Sequence, residues 1–377
     1  MIYCDYNATA PLRPEALEAM LAALDIGANP SSVHSAGRAA RKCVETARAQ
    51  LAQKIGARGE DIVFTSGGTE ANALALIGAT RLIDNPVILS SDIEHPAVKA
   101  AIEQSGAKRR YLRIDSNGRL DISDLAAQLA EIEDETPLLS IMLANNETGV
   151  IQPVAEAAAL LREKNGLVHC DAVQALGKIN VNAGLLGVDY LSFSAHKFGG
   201  PQGAGALWFR VGAPLKPQQL GGGQERSLRS GTENISGIAG FGAALAAVSP
   251  DEAEHVAKVR DLFESLVSER LPVKIFGKTA LRLPGTSNLA LEGFRGETQV
   301  MAMDLAGIAV SSGSACSSGK VKRSDVLMAM GVSEDMAECA IRVSFGWAST
   351  LEDAERAAKA LITAASRAVP GLLKENA

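Results

Sequence analysis

No C-x-x-C pair occurs among the five cysteines of this 377-residue chain. Cys4, Cys43, Cys170, Cys316 and Cys339 are odd in number and scattered. That spacing excludes a paired-thiol zinc site or a thioredoxin-type motif and fits a reducing compartment. No metal site is expected. No run of five like charges appears, and the formal charge of −6 with a pI near 5.6 speaks against nucleic acid as a partner. No uninterrupted apolar stretch reaches eighteen residues, so no membrane span is expected. The opening Met-Ile-Tyr-Cys-Asp is not a basic region followed by an apolar one, so a signal peptide is not expected either, and the protein reads as cytoplasmic.

What the chain does have is 47% hydrophobic residues, enough for a large core, and a regular alternation. Short β-rich runs at 61–65, 86–90, 109–114, 137–144, 167–170, 188–194 and 205–209 are interleaved with helical patterns at 14–24, 36–55, 69–83, 96–104, 122–133 and 153–163. Such interleaving predicts an α/β fold, a mostly parallel sheet between two layers of helices. After the Ser-Pro-Asp break at 249–251 the pattern changes. A long helix at 251–270 is followed by strands at 273–276, 287–291 and 341–344 and helices at 297–305, 324–330 and 351–367. The expected division is a large unit at 14–250 and a smaller α+β unit made of 1–13 and 251–377.

In open α/β sheets, ligands bind beyond the carboxyl ends of the strands, and the polar residues of this chain gather there. The apolar run ending at Ser194 is followed at once by His196, Lys197 and the glycines Gly199, Gly200 and Gly203. A desolvated lysine has a lowered pKa and attacks aldehydes, which suggests a cofactor lysine; a solvated strand end is the plain alternative. Gly68 and Thr69 open a helix and offer an anion site, or merely a cap. Asp171 ends a strand, where it could hold a pyridinium nitrogen or cap a helix, and Gln174 lies one turn on. His95 precedes a proline, as an acid–base imidazole or as a capped turn. Arg342 interrupts an apolar strand and suits a carboxylate, unless it faces solvent. Cys316 stands in a Ser/Gly-rich stretch, unlike the buried setting usual for a free cysteine. The 221–234 stretch, with its glycines, arginines and hydroxyls, could complete a phosphate cup or be a surface loop.

Taken together these segments resemble the NifS/IscS-type cysteine desulfurases, within the class V aminotransferase group of fold-type I pyridoxal-phosphate enzymes. The pieces are Y-C-D-Y-N-A-T at 3–9, F-T-S-G-G-T-E at 64–70, E-H at 94–95, N-N-E-T-G at 145–149, D-A-V-Q at 171–174, S-A-H-K at 194–197, R-S-G-T at 229–232 and S-S-G-S-A-C at 311–316. The resemblance implies pyridoxal 5'-phosphate as cofactor, carried covalently by Lys197. It implies Asp171 at the pyridine nitrogen, Gln174 at the ring hydroxyl and His95 stacked on the ring. Gly68, Thr69, Ser194 and His196 would surround the phosphate, and Thr232 would reach the phosphate of a neighbouring subunit in a homodimer with shared sites. Asn146 and Arg342 would bind the carboxylate of L-cysteine. Cys316 would accept the sulfur as a persulfide, leaving L-alanine, and pass it to a sulfur-acceptor or iron–sulfur scaffold protein. A selenocysteine lyase or another class V enzyme is the alternative within the group. A non-catalytic binding protein is the alternative outside it, against which Lys197, Asp171 and His95 argue. Two positions depart from the family pattern: Ala10, where a threonine is expected, and Trp347, where an arginine is common.

Overall fold

The computed structural model describes residues 1–312, 323–369 and 371–372. After β1 (Ile2–Tyr3), α1 (Pro14–Ile26) and α2 (Ser35–Ile55) comes the alternating part. It runs β2 (Ile62–Thr65), α3 (Gly68–Thr80), β3 (Pro86–Ser90), α4 (Pro96–Ser105), β4 (Lys108–Tyr111), α5 (Ile122–Ala130), β5 (Thr136–Met142), α6 (Val154–Glu163), β6 (Leu167–Asp171), a short α7 (Ala183–Leu186), β7 (Tyr190–Ser194), β8 (Gly205–Phe209) and α8 (Ile235–Ala246). The strands form one seven-stranded sheet in the order β2-β8-β7-β6-β5-β3-β4. All pairings are parallel except those of β8, which runs against β2 and β7.

Neighbouring residues of one strand feed opposite cores, as the period of two demands. Phe64, Leu89 and Leu139 join the cluster that includes Val44, Leu51 and Phe241 from α2 and α8. Val63, Ile88 and Leu138 join the cluster under Leu74, Val98 and Ile102 of α3 and α4. Burial on both faces explains why these strands read as continuous apolar runs. Helix α8 had no counterpart in the expected pattern. Its sequence, ISGIAGFGAALA, carries three glycines, each costing about 1 kcal/mol in a helix interior. Close packing explains two of them: a Cβ on Gly242 would lie 2.7 Å from Cα of Ala47, and one on Gly240 would lie 2.7 Å from Cγ of Met20.

The remainder is built from α9 (Glu252–Arg270), β9 (Lys274–Ile275), β10 (Thr286–Ala290), α10 (Gly296–Leu305), β11 (Ile308–Ala309), β12 (Ser311–Ser312), α11 (Asp325–Ala329), α12 (Glu334–Glu338), β13 (Ala340–Ser344) and α13 (Leu351–Ala368). Strands β12-β13-β10-β9 form an antiparallel sheet, packed on α9 and α13 through Val259, Phe263, Leu289, Ile341 and Leu361. Strand β1 pairs in parallel with β11, Ile2 opposite Ile308. From there the chain crosses β13: Ser344 N donates to the carbonyl of Cys4, and Tyr6 N to the carbonyl of Ser344. That crossing aims Asn7 and Ala8 at the carboxyl edge of the large sheet. Among the described residues, no helix is long and apolar enough to cross a membrane.

Candidate active site

A cavity of about 270 Å³ lies beyond the carboxyl ends of the parallel strands. The segments after β2, β3, β5, β6 and β7 supply Gly68 and Thr69, His95, Asn146, Asp171 and Gln174, and Ser194, His196 and Lys197 in turn. From the other side come Asn7, Ala8 and Arg342. All the expected site residues thus meet in one place except two. Thr232 is exposed and does not line the cavity, and Cys316 lies outside the described residues.

Lys197 sits on a one-turn helix directly after β7. Its ammonium donates to the main-chain carbonyls of Asn7 at 2.7 Å and Ala8 at 2.8 Å. Asp171, 6% exposed, accepts from Val173 N on Oδ1 and from Asn72 Nδ2 on Oδ2, at 3.0 and 2.8 Å. Turn capping and cavity wall are therefore one arrangement. The same holds for His95: its Nδ1 caps α4 by accepting from Ala97 N, 3.1 Å, which leaves the proton of the neutral ring on Nε2. Burial pushes the imidazole below its ordinary pKa; Asp171 opposes this, and Lys197 and Lys99 add to it. The ring is accordingly neutral, with Nε2–H as its remaining donor. Beside it Glu94 is buried, accepts from Met142 N at 2.7 Å, and is pushed up to about 8 by desolvation. Its carboxyl is largely protonated at neutral pH.

Gln174 is held at both ends of its amide, donating to Asn7 O (2.9 Å) and accepting from Lys178 Nζ (2.8 Å). Lys178 also donates to Asn7 Oδ1 at 3.0 Å. Desolvation, then the charges of Lys197 and Arg342, drive its amine well below the usual lysine range. His196 contacts Thr9 Oγ1 through Nδ1 at 3.2 Å, and burial, Lys197 and Lys178 bring it down to about 4. Arg342 is 2% exposed, so it does not face solvent. It donates to Asn146 O at 2.9 Å and to Asp5 Oδ1 at 2.8 Å, and its buried Nε has no partner among the described residues. A buried donor of this kind suits an incoming anion, because leaving it unmade costs about 1–3 kcal/mol.

Gly199, the second residue after Lys197, serves the protein itself. A Cβ on Gly199, which has φ of 91°, would lie 2.6 Å from Cγ of Arg13, so its role is to seat that arginine. Gly68 is different. A Cβ there would meet Val173 Cγ2 at 2.6 Å and Ser194 Cβ at 3.5 Å, so the glycine lets the start of α3 pack directly against two residues of the cavity wall. Arg229 bonds Glu70 at 2.8 Å and ties the 221–234 stretch to the first turn of α3. The Arg48–Glu225 pair, 2.6 Å and buried, holds a turn in which Glu225, Arg226 and Ser227 all have positive φ.

Residues 2–357 match the model of the aminotransferase class-V family. The chain belongs to the class-V aminotransferase family. It is 42% identical over 362 residues to a protein of Dictyoglomus turgidum named cysteine desulfurase IscS, a match covering 93% of this chain and 91% of that one. It superposes on a solved NifS-like protein with a TM-score of 0.90 at 35% identity, over 97% of this chain and 99% of the other. A structure described as SspA in complex with cysteine matches with a TM-score of 0.82 at 31% identity, over 92% and 99% of the two chains.

In this member of the class-V aminotransferase family, three contributors to the site were not foreseen as such: Asn7, Asn72 and Lys178. Two had a usable signal. Asn72 lies one helical turn after Thr69, and Lys178 lies four residues after Gln174, each on the face of a residue already singled out. Asn7 had none, because its neighbours in space are Asn146, Thr286 and Ser344. Trp347, the departure from the family pattern, stacks under Arg13 with the guanidinium 5.0 Å from the ring centre and donates to Pro11 O. It braces the amino-terminal segment rather than touching the cavity.

Proposed function

We propose that this chain is a cysteine desulfurase that uses pyridoxal 5'-phosphate to take sulfur from L-cysteine. The observation that carries the reading is the convergence of an amine, a carboxylate, a neutral imidazole and a buried guanidinium on one cavity. The residues fit the cofactor. Lys197 would hold its aldehyde carbon, Asp171 would pair with its ring nitrogen, and His95 and Val173 would flank the ring. The start of α3 at Gly68 and Thr69, with Ser194 and His196, would take its phosphate, and Gln174 its ring hydroxyl. When bound, the cofactor supplies an electron sink for the pair released at the substrate's Cα.

The chain's own residues do the rest. Arg342, already braced by Asp5, would take the substrate carboxylate with Asn146 beside it. Lys197 would move the Cα proton, and its two carbonyl partners show that its ammonium form has acceptors waiting. His95, neutral and with its Nδ1 lone pair committed to the α4 cap, would present Nε2–H to the cavity as a proton donor. The Cys316 thiolate would attack the substrate sulfur as the S–Cβ bond breaks. Cysteine and the Cys316 thiol then become alanine and a Cys316 persulfide, with atoms and electrons in balance.

The reading extends to a homodimer in which Thr232 completes the partner's phosphate site, to transfer of the persulfide to an acceptor or iron–sulfur scaffold protein, and to the cytoplasm. It also treats 14–250 as the cofactor-binding unit and 1–13 with 251–377 as the smaller unit that carries Cys316. The test is incubation of the full chain with L-cysteine without reductant, reading alanine and locating added sulfur by peptide mass. Alanine with sulfur on Cys316 is expected. No alanine, or sulfur mainly on Cys43 or Cys339, overturns the assignment.

A further inference from the structure

Under the cavity runs a row of buried polar side chains that no step above uses. His169, in the middle of β6 and fully buried, lies two residues before Asp171 and therefore on the same face of the sheet. Its Nδ1 is 2.9 Å from Ser140 Oγ on β5. Its Nε2 is 3.2 Å from Asn72 Oδ1 on α3 and 3.0 Å from Ser192 Oγ on β7. Asn72 in turn donates to Asp171 Oδ2 at 2.8 Å.

The role of every atom follows from the last one. A carboxylate only accepts, so Asn72 turns its NH₂ to Asp171 and its carbonyl to His169. A carbonyl also only accepts, so His169 carries its proton on Nε2, shared between Asn72 and Ser192. Nδ1 is then bare and takes the hydroxyl proton of Ser140. The ring stays neutral, since burial pushes His169 down to about 3. Three successive bonds thus donate in one direction, from Ser140 through His169 and Asn72 to Asp171, and aligned bonds of this kind polarise one another. A flipped Asn72 would set its carbonyl against the carboxylate and break two of them.

We propose that His169 is a positioning residue of the site, locking the Asn72 amide and, through it, the Asp171 carboxylate at the cavity wall. The proposal rests on the pyridoxal-phosphate reading for its consequence, the pairing of Asp171 with the ring nitrogen, but not for its geometry. Two experiments separate the levels. In the cofactor-free full chain labelled with ¹⁵N-histidine, His169 should show a protonated Nε2 and a bare Nδ1, unchanged from about pH 5 to 8. A proton on Nδ1, or titration within that window, overturns the proposal without any variant.

In the second, pyridoxal phosphate is titrated into the full chain and its visible absorption followed against pH. Asn72→Leu should weaken binding about tenfold and make the absorption pH-dependent where the wild type is not. His169→Phe should move both readouts the same way, and the double variant should go no further than Asn72→Leu alone. Losses that multiply in the double variant mean that His169 does not act through Asn72, and overturn the proposal. Failure of the wild type to bind pyridoxal phosphate overturns the cofactor reading and leaves the tautomer result standing.

Discussion

The two sheets serve the same cavity in different ways. The seven-stranded sheet offers residues at strand ends: Asp171, Ser194 and Lys197 lie where the chain leaves β6 and β7, and loop amides and carbonyls are at hand to satisfy them. The four-stranded sheet offers Arg342 from the middle of β13, opposite Asn288 and Ser311 in register. Among the described residues the guanidinium there bonds Asp5 and Asn146, brought from far along the chain. A strand end is thus a cheap place for chemistry, whereas mid-strand chemistry is tied to tertiary structure. Substitutions at the first should cost activity alone, and at the second both activity and stability.

The sharpest test is Lys197→Ala, expected to lower alanine formation at least about 10³-fold while leaving the melting temperature within a few degrees of wild type. A collapse of stability would erase the distinction. Arg342→Met should raise the KM for L-cysteine about 10- to 100-fold, as loss of a charged hydrogen-bonded contact does, and should also lower unfolding free energy by about 3 kcal/mol, because Asp5 loses its partner. Steady-state kinetics and urea melts read the two effects, and an unchanged melt would contradict the dependence on Asp5.

Glu94 gives a strand-end exception with a defined sign. It binds its proton more tightly folded than unfolded, with a pKa raised from 4.5 to about 8. Its favourable contribution is full below about pH 4.5 and lost as pH rises through 8. Glu94→Gln, which carries no charge, should therefore be more stable than wild type at pH 9, by on the order of a few kcal/mol, with the gap closing toward pH 5. Melts across that range would show it, and parallel curves would mean that Glu94 is solvated after all. The smallest effect belongs to a helix of the second unit: Thr350→Ala removes the capping box of α13 and should cost about 1 kcal/mol with kinetics unchanged.

The same contrast governs how far the sequence could be read. The strands at 86–90 and 205–209 were legible to the residue, because burial on both faces leaves unbroken apolar runs between polar loops. Strand-end residues such as Lys197, Asp171 and His95 were legible as candidates from residue type and place alone. The family resemblance, resting on short segments from 3 to 316, supplied their roles. What stayed hidden has physical causes. Helix α8 was masked by glycines whose purpose is contact with Ala47 and Met20. Strands β1, β11 and β12 are two residues each, too short to carry a period. Asn7 and Asp5 owe their places to β13, and no local pattern announces a partner 337 positions away.

That separation bears on how the protein comes to life. The carbonyls of Asn7 and Ala8 that receive the Lys197 ammonium are synthesised early, yet the strand that steadies them, through Ser344 and Arg342, emerges hundreds of residues later. Contacts of such long sequence separation form late. During translation the large sheet can therefore assemble around a half-built pocket, and competence arrives only when the amino-terminal segment threads against the last strand. A nascent chain with its lysine already in place would still be inert, an inherent delay between folding and reactivity.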